Sequence, residues 1–193
     1  EPEAEKRNEW GLFGKLSFTM MARSLSFTLS NTFIPIFWVT VLYATAQEGT
    51  RALSLLFAVG AGMTYVGGVL ADRMGYVRVL RLAFCAMIPT MFLLIRATEV
   101  WWATLLLLPT AFAVFVPFSP IVVLGQTYLA KNAGFASGVT LGLSTTIGGL
   151  FAPLVGWAAD IWGLVTALQI LWIAGAIGAA ASFSLAIDSR KAG

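Results

Sequence analysis

Arg23 lies inside a long apolar segment that opens near residue 17, about six residues in, or roughly 9 Å along a helix axis. A cation there is costly in a bilayer and as a rule faces a cavity or a partner. Ser30 follows seven positions later on the same helical face, and Asn31 lies about 80° round from Arg23. Ser119 stands in a second stretch, Val116-Pro117-Phe118-Ser119-Pro120. That stretch cannot be regular helix, because each proline removes a backbone bond. Broken helix at membrane depth is tolerated where it lines a cavity or is buried in protein. Arg23, Ser30, Asn31 and Ser119 together offer one cation and three hydrogen-bonding side chains, which suits binding of a small anionic or polar substrate. Two blander readings stay open. At this depth Arg23 can snorkel back to the headgroups, and the prolines can be a structural kink.

The residues that are missing narrow the chemistry. Histidine is absent and Cys85 is alone, so there is no Ser–His pair, no zinc-protease motif and no internal disulfide. Asp72 and Asp160 fall at opposite membrane faces and cannot form a carboxylate pair. No enzyme, metal or cofactor is expected. A proton-coupled carrier needs a buried titratable group, and any such acid must lie outside these residues.

These side chains have to be held by membrane-spanning helices. Hydrophobic residues make up 59% of the 193 and charged residues 11%, against about 45–50% and about 25% in soluble domains. Six apolar runs approach the roughly 20 residues of a span: 17–43, 52–71, 79–95, 101–124, 137–157 and 164–187. Residues 1–16 read as a cytoplasmic tail or linker, 17–187 as one bundle, and 188–193 as a second tail. Nine basic residues (Lys6, Arg7, Lys15, Arg73, Arg78, Arg81, Lys131, Arg190 and Lys191) fall on one side and Arg51 and Arg96 on the other, which puts both termini in the cytoplasm. Trp38, Tyr43, Trp101, Trp102, Trp157 and Trp162 fall at the opposite interface, as an aromatic belt does. The basic pI follows from this asymmetry and implies no nucleic-acid partner.

Two further patterns concern packing. Gly67-Gly68-Val69-Leu70-Ala71-Asp72-Arg73-Met74-Gly75 closes the second span, and a reduced copy, Gly156-Trp157-Ala158-Ala159-Asp160-Ile161-Trp162-Gly163, closes the fifth, 88 positions later. The aspartates are expected to accept backbone N–H groups where the next helix begins. Copies after spans two and five lie on opposite membrane faces, which predicts a 3+3 inverted repeat. Within the fifth span, Gly138, Gly142, Thr145, Gly149, Ala152 and Gly156 form one stripe of small residues, expected to permit close contact with a neighbouring helix.

The run Gly68-Val69-Leu70-Ala71-Asp72-Arg73-Met74-Gly75 resembles the cytoplasmic loop signature of the major facilitator superfamily, with Tyr76 and Val77 standing where that family often has basic residues. Stretches 23–38, 116–140 and 149–160 are similar to the second half of a bacterial drug-resistance member. The resemblance implies an all-α membrane protein, six helices forming half of a major facilitator fold. It implies an inner-membrane efflux carrier that exchanges drug for protons by alternating access, and it gives this half an N-terminal six-helix half as partner within the lipid bilayer. A half-size protein that pairs with a second copy, and a membrane scaffold without transport, are the alternatives.

Overall fold

In a computed structural model, described here for residues 8–185, the chain is helical nearly throughout. The helices are α1 (Trp10–Thr40), α2 (Ala46–Met74), α3 (Tyr76–Leu94), α4 (Val100–Phe115), α5 (Phe118–Tyr128), α6 (Ala133–Trp162), α7 (Leu164–Ala167) and α8 (Ile170–Phe183). A 3₁₀ turn, Ala130–Asn132, precedes α6. Among the described residues there is no strand, only an antiparallel bridge between Asn8 and Leu129. Five segments are long and apolar enough to cross a membrane: α2, α3, α4 with α5, the 3₁₀ turn with α6, and α7 with α8. Helix α1 is longer than any of these helices at 31 residues, but its serines, threonines and Asn31 lower its hydropathy. The chain is a multi-pass membrane protein with an all-α fold.

Helix α1 packs against α6, α8 and α2, and α3 packs against α8 and α4. Helices α1 and α6 run parallel and in step. The rings of Trp10 and Phe135 meet at 6.0 Å, Ser24 bonds Ser144 O at 2.7 Å, and Gly156 lies beside Phe33. A core of Leu16, Met20, Leu29, Phe84, Met87 and Leu107 fills the space between helices. Of the five apolar spans, α2 and α6 are covered least and the α4–α5 span most.

Helix α1 begins at Trp10, seven residues before the expected start of the span at residue 17. Phe13, Leu16 and Met20 explain this, because their spacing continues one apolar face and all are buried. Part of the expected tail is therefore bundle. Residues 1–7 and 186–193, with Lys6, Arg7, Arg190 and Lys191, lie outside the described residues. Trp38 does not join the aromatic belt. It is 1% exposed and beside Leu94, Ile95 and Leu168, while Tyr43, Trp101, Trp102, Trp157 and Trp162 are exposed as expected.

The fourth span breaks where its prolines require. Helix α4 ends at Phe115 and α5 starts at Phe118. Pro120 has no N–H for the carbonyl of Val116 four residues before it, and that carbonyl instead faces Gly67 of α2. A Cβ at Gly67 would sit 2.6 Å from Val116 O, so only glycine fits. The last span breaks too, at Leu168–Gln169, where the N–H groups of Gln169 and Leu171 bond three residues back rather than four, to Thr166 O at 3.2 Å and Leu168 O at 3.0 Å.

The two glycine-ended junctions match in backbone. Gly75 has φ 93° and ψ 140°, and Gly163 has φ 85° and ψ 151°. Each donates its N–H four residues back, to Ala71 O and Ala159 O respectively, at 2.9 Å. A single left-handed residue turns the chain from one helix into the next, a conformation glycine adopts without penalty. The aspartates act differently from expectation. Because α2 runs through Met74 and α6 through Trp162, both sit in a last helical turn, upstream of the junction. Asp72 accepts from the Tyr76 hydroxyl at 2.7 Å, so the tyrosine standing in place of a basic residue supplies the local partner.

Candidate functional site

Arg23 sits thirteen residues along α1, about 20 Å from its start. It is 6% exposed and does not snorkel. Its guanidinium carbon lies 5.1 Å from the ring centre of Phe27 and 4.7 Å from that of Phe118. Phe27 comes from the next turn of α1. Phe118 comes from the first turn of α5 and is set there by the break at Val116–Pro117. Two aromatic faces stabilise the cation but answer none of its N–H donors, and Nε is buried with no hydrogen-bond partner among the described residues. The described acids, Glu9, Glu48, Asp72, Glu99 and Asp160, are all exposed.

Phe118 also forms a wall of a groove of about 580 Å³ between α2 and α5. Thr64, Tyr65, Gly68 and Asp72 line it from α2, and Phe118 and Ser119 from α5. Its walls are apolar for most of their length, with three hydroxyls and one carboxylate as polar points. A groove of this size and mixture suits a small amphipathic molecule. The glycine of the loop signature has a clear part here. A Cβ at Gly68 would lie 3.4 Å from Ser119 Oγ, so the small residue keeps α2 close to the broken helix.

The four sequence candidates therefore divide. Arg23 packs on Phe118, and Ser119, the next residue, lines the groove with Phe118. Ser30 does not join them. It is buried with Oγ unpartnered, facing a closed apolar space of about 10 Å³ beside Phe33 and Leu171, too small for a solute. Asn31 is exposed on another part of α1. Arg73 is exposed in the last turn of α2, and Asp160 is exposed beyond the groove. Gly138, Gly142 and Gly149 have nothing of this chain within 4 Å of where a Cβ would be. The close contact of α6 is made instead by Gly148. A Cβ there would fall 1.9 Å from Thr28 Oγ1 and 2.8 Å from Ser24 O. Sequence reasoning missed Gly148, Ser24 and Thr28. The available signal was the four-residue repeat Ala136, Thr140, Ser144, Gly148, a second small stripe that runs beside the first.

No family model matches the chain. A solved structure titled a major facilitator superfamily transporter, FucP, in the outward conformation superposes on 96% of this chain with a TM-score of 0.80 at 17% identity, and 44% of that structure is covered. The fold is that of one six-helix half of a major facilitator transporter. In sequence, the chain is similar to the fosmidomycin resistance protein of Escherichia coli K12, with 33% identity over 107 residues, 55% of this chain and 26% of that protein. The chain thus spans under half the length of the proteins it resembles.

Proposed function

We propose that this chain is one half of a transporter that exports a small anionic compound across the bacterial inner membrane by alternating access. The buried guanidinium of Arg23, unanswered at Nε and backed onto the α2–α5 groove through Phe118, carries this reading. An oxyanion with two oxygens to present, a carboxylate or a phosphonate, satisfies such a fork of donors far better than water or an aromatic face does. Fosmidomycin, the compound named in the similar resistance protein, is a phosphonate anion and fits that chemistry. Exchange against protons requires an acid from outside residues 8–185, since every described acid is exposed. The lightly covered α2 and α6 supply a face for a second six-helix body, the other half of a longer chain or a second copy. The basic residues Lys15, Arg73, Arg78, Arg81 and Lys131 support a cytoplasmic position for the α1 start and the α2–α3 and α5–α6 connections.

The test is resistance to fosmidomycin in cells making the complete protein. Arg23→Ala is expected to lower it about tenfold or more at unchanged membrane levels, with Arg23→Lys keeping part of it. Full resistance with Arg23→Ala at normal expression overturns the assignment of Arg23. Absence of any proton-dependent flux from the wild-type protein favours a non-transporting scaffold. The mass of the natural product separates a longer chain from a paired half: a value near 20.7 kDa favours two copies.

A further inference from the structure

We propose that α6 bends at Gly148–Gly149 and that Ser24 of α1 is the pin of this joint, so that a solute held at Arg23 changes the angle of the outer half of α6. The inference builds on the solute site assigned above and adds the moving part. In a regular helix the N–H of Gly148 bonds the carbonyl of Ser144. Here the Ser24 hydroxyl donates to Ser144 O at 2.7 Å and accepts from Gly148 N–H at 3.2 Å. It touches both ends of one rung of α6, so opening that rung leaves neither group unpaired. A second rung, five further along the helix, is already missing. Pro153 has no N–H to give the carbonyl of Gly149. Two adjoining glycines, a side chain inserted in the ladder and a proline four residues on are each recognised causes of helix bending, and all three fall between Ser144 and Pro153. Below the joint, Ser144 Oγ bonds Thr140 O at 2.6 Å and Thr140 Oγ1 bonds Ala136 O at 2.7 Å, hydroxyl back-bonds that also loosen a helix.

The solute site and the pin are joined through the backbone of α1. Arg23 precedes Ser24, and Thr28, one turn on, presses against Gly148. Any shift of this turn of α1 toward an anion therefore moves the pin. An outer arm from Gly149 to Trp162 is about 21 Å long, so a bend of about 20° carries its tip about 7 Å. Ser24 is a positioning residue in this scheme, since it acts through α6.

The experiment uses the complete protein in proteoliposomes, with Cys85 replaced and spin-label pairs at the outer tips (Thr40, Asp160) and inner ends (Gly14, Gly134) of α1 and α6. Without solute, the outer pair is expected to give a distance distribution several ångströms wider than the inner pair, and Pro153→Ala to narrow it. Equal widths for the two pairs overturn the joint, whatever the solute is. Fosmidomycin is expected to shift the outer pair alone. In counterflow of fosmidomycin, Ser24→Ala is expected to lower kcat about tenfold with KM unchanged, the size of one hydrogen bond, and Ser24→Thr to restore it. A Ser24→Ala protein with lower Tm but wild-type turnover overturns the role of the pin. A wild-type protein that moves no fosmidomycin refutes the solute assignment instead, and the solute-free distances still decide the joint.

Discussion

The two faces of α6 carry nearly the same residues and do opposite things. One face, Ala136, Thr140, Ser144, Gly148 and Val155, is buried, and at Gly148 the backbone of α6 comes so close to α1 that a methyl group has no room. The other is bare along Gly138, Gly142, Thr145 and Gly149: these three glycines have no atom of another helix within 4 Å of a Cβ position, and Gly156 at the end of the stripe meets Phe33 at 3.9 Å. Small residues at helical spacing therefore mark where a backbone can be approached. They do not say which face is approached within the chain and which awaits something else.

Substitutions at Gly148 test the buried side and have the largest effect. Gly148→Leu forces a side chain into Thr28 and the Ser24 carbonyl, and the backbone of α1 cannot give way as a flexible side-chain tip does. The expected cost is about 3 kcal/mol or more, read as loss of a monodisperse, cooperatively melting protein in detergent. Gly142→Leu on the bare face is expected to leave that melting unchanged while abolishing transport by the complete protein. Equal damage from both substitutions breaks the contrast between the faces.

The same contrast occurs at smaller scale on α2. Gly67 and Gly68 are neighbours, yet a Cβ at Gly67 meets Val116 O at 2.6 Å and one at Gly68 meets only Ser119 Oγ at 3.4 Å. Gly67→Ala is expected to destabilise by about 2 kcal/mol, since the carbonyl it strikes is backbone fixed by the proline break. Gly68→Ala is expected to cost little in stability and to weaken solute binding by narrowing the groove. Thermal melts and a binding isotherm for fosmidomycin distinguish these two outcomes.

The repeated junctions give a third, smaller pair. Gly75 and Gly163 hold nearly the same left-handed backbone with nothing near the Cβ position. Alanine at either is expected to cost about 1–2 kcal/mol from backbone strain alone. The effects should match within error. A clear inequality in the two melts means that the junctions differ in surroundings despite their shared conformation.

Much of the fold was legible because bilayer rules are simple. Apolar length gave the spans, the prolines at 117 and 120 gave the break in the fourth, and matched glycines gave the junctions. The errors have physical sources. The start of α1 is read too late from the sequence because charges up to Lys15 suggest a tail, whereas Phe13 and Leu16 face inward. Trp38 was assigned to the interface by residue type alone, and type does not reveal which side of a helix is covered. The site was half legible. Arg23 is a rare residue type for membrane depth, Ser119 stands in a stretch that its prolines break, and Phe118 connects the two. Ser30 shares a face with Arg23 in a helical projection, but α1 has neighbours on several sides, so that face divides between the Phe118 side and the space beside Leu171. The Ser24–Gly148 contact depends on how two helices pair, which no single-helix pattern contains.

Gly142→Ala is the mildest substitution and the most discriminating, because its sign depends on what covers the bare face. Within this chain a methyl group at Gly142 meets nothing, and alanine is the better helix former by about 1 kcal/mol. The 193-residue chain by itself should therefore melt slightly higher with alanine than with glycine. In the complete protein, the second six-helix body proposed above, if it presses against this stripe, takes up the space that the missing Cβ leaves. The same methyl group then separates the two bodies, and both melting temperature and transport should fall. A rise in both settings means that lipid covers the stripe and that the second body, if present, seats elsewhere. A rise in one and a fall in the other places the contact between bodies on the side of α6 that this chain leaves bare.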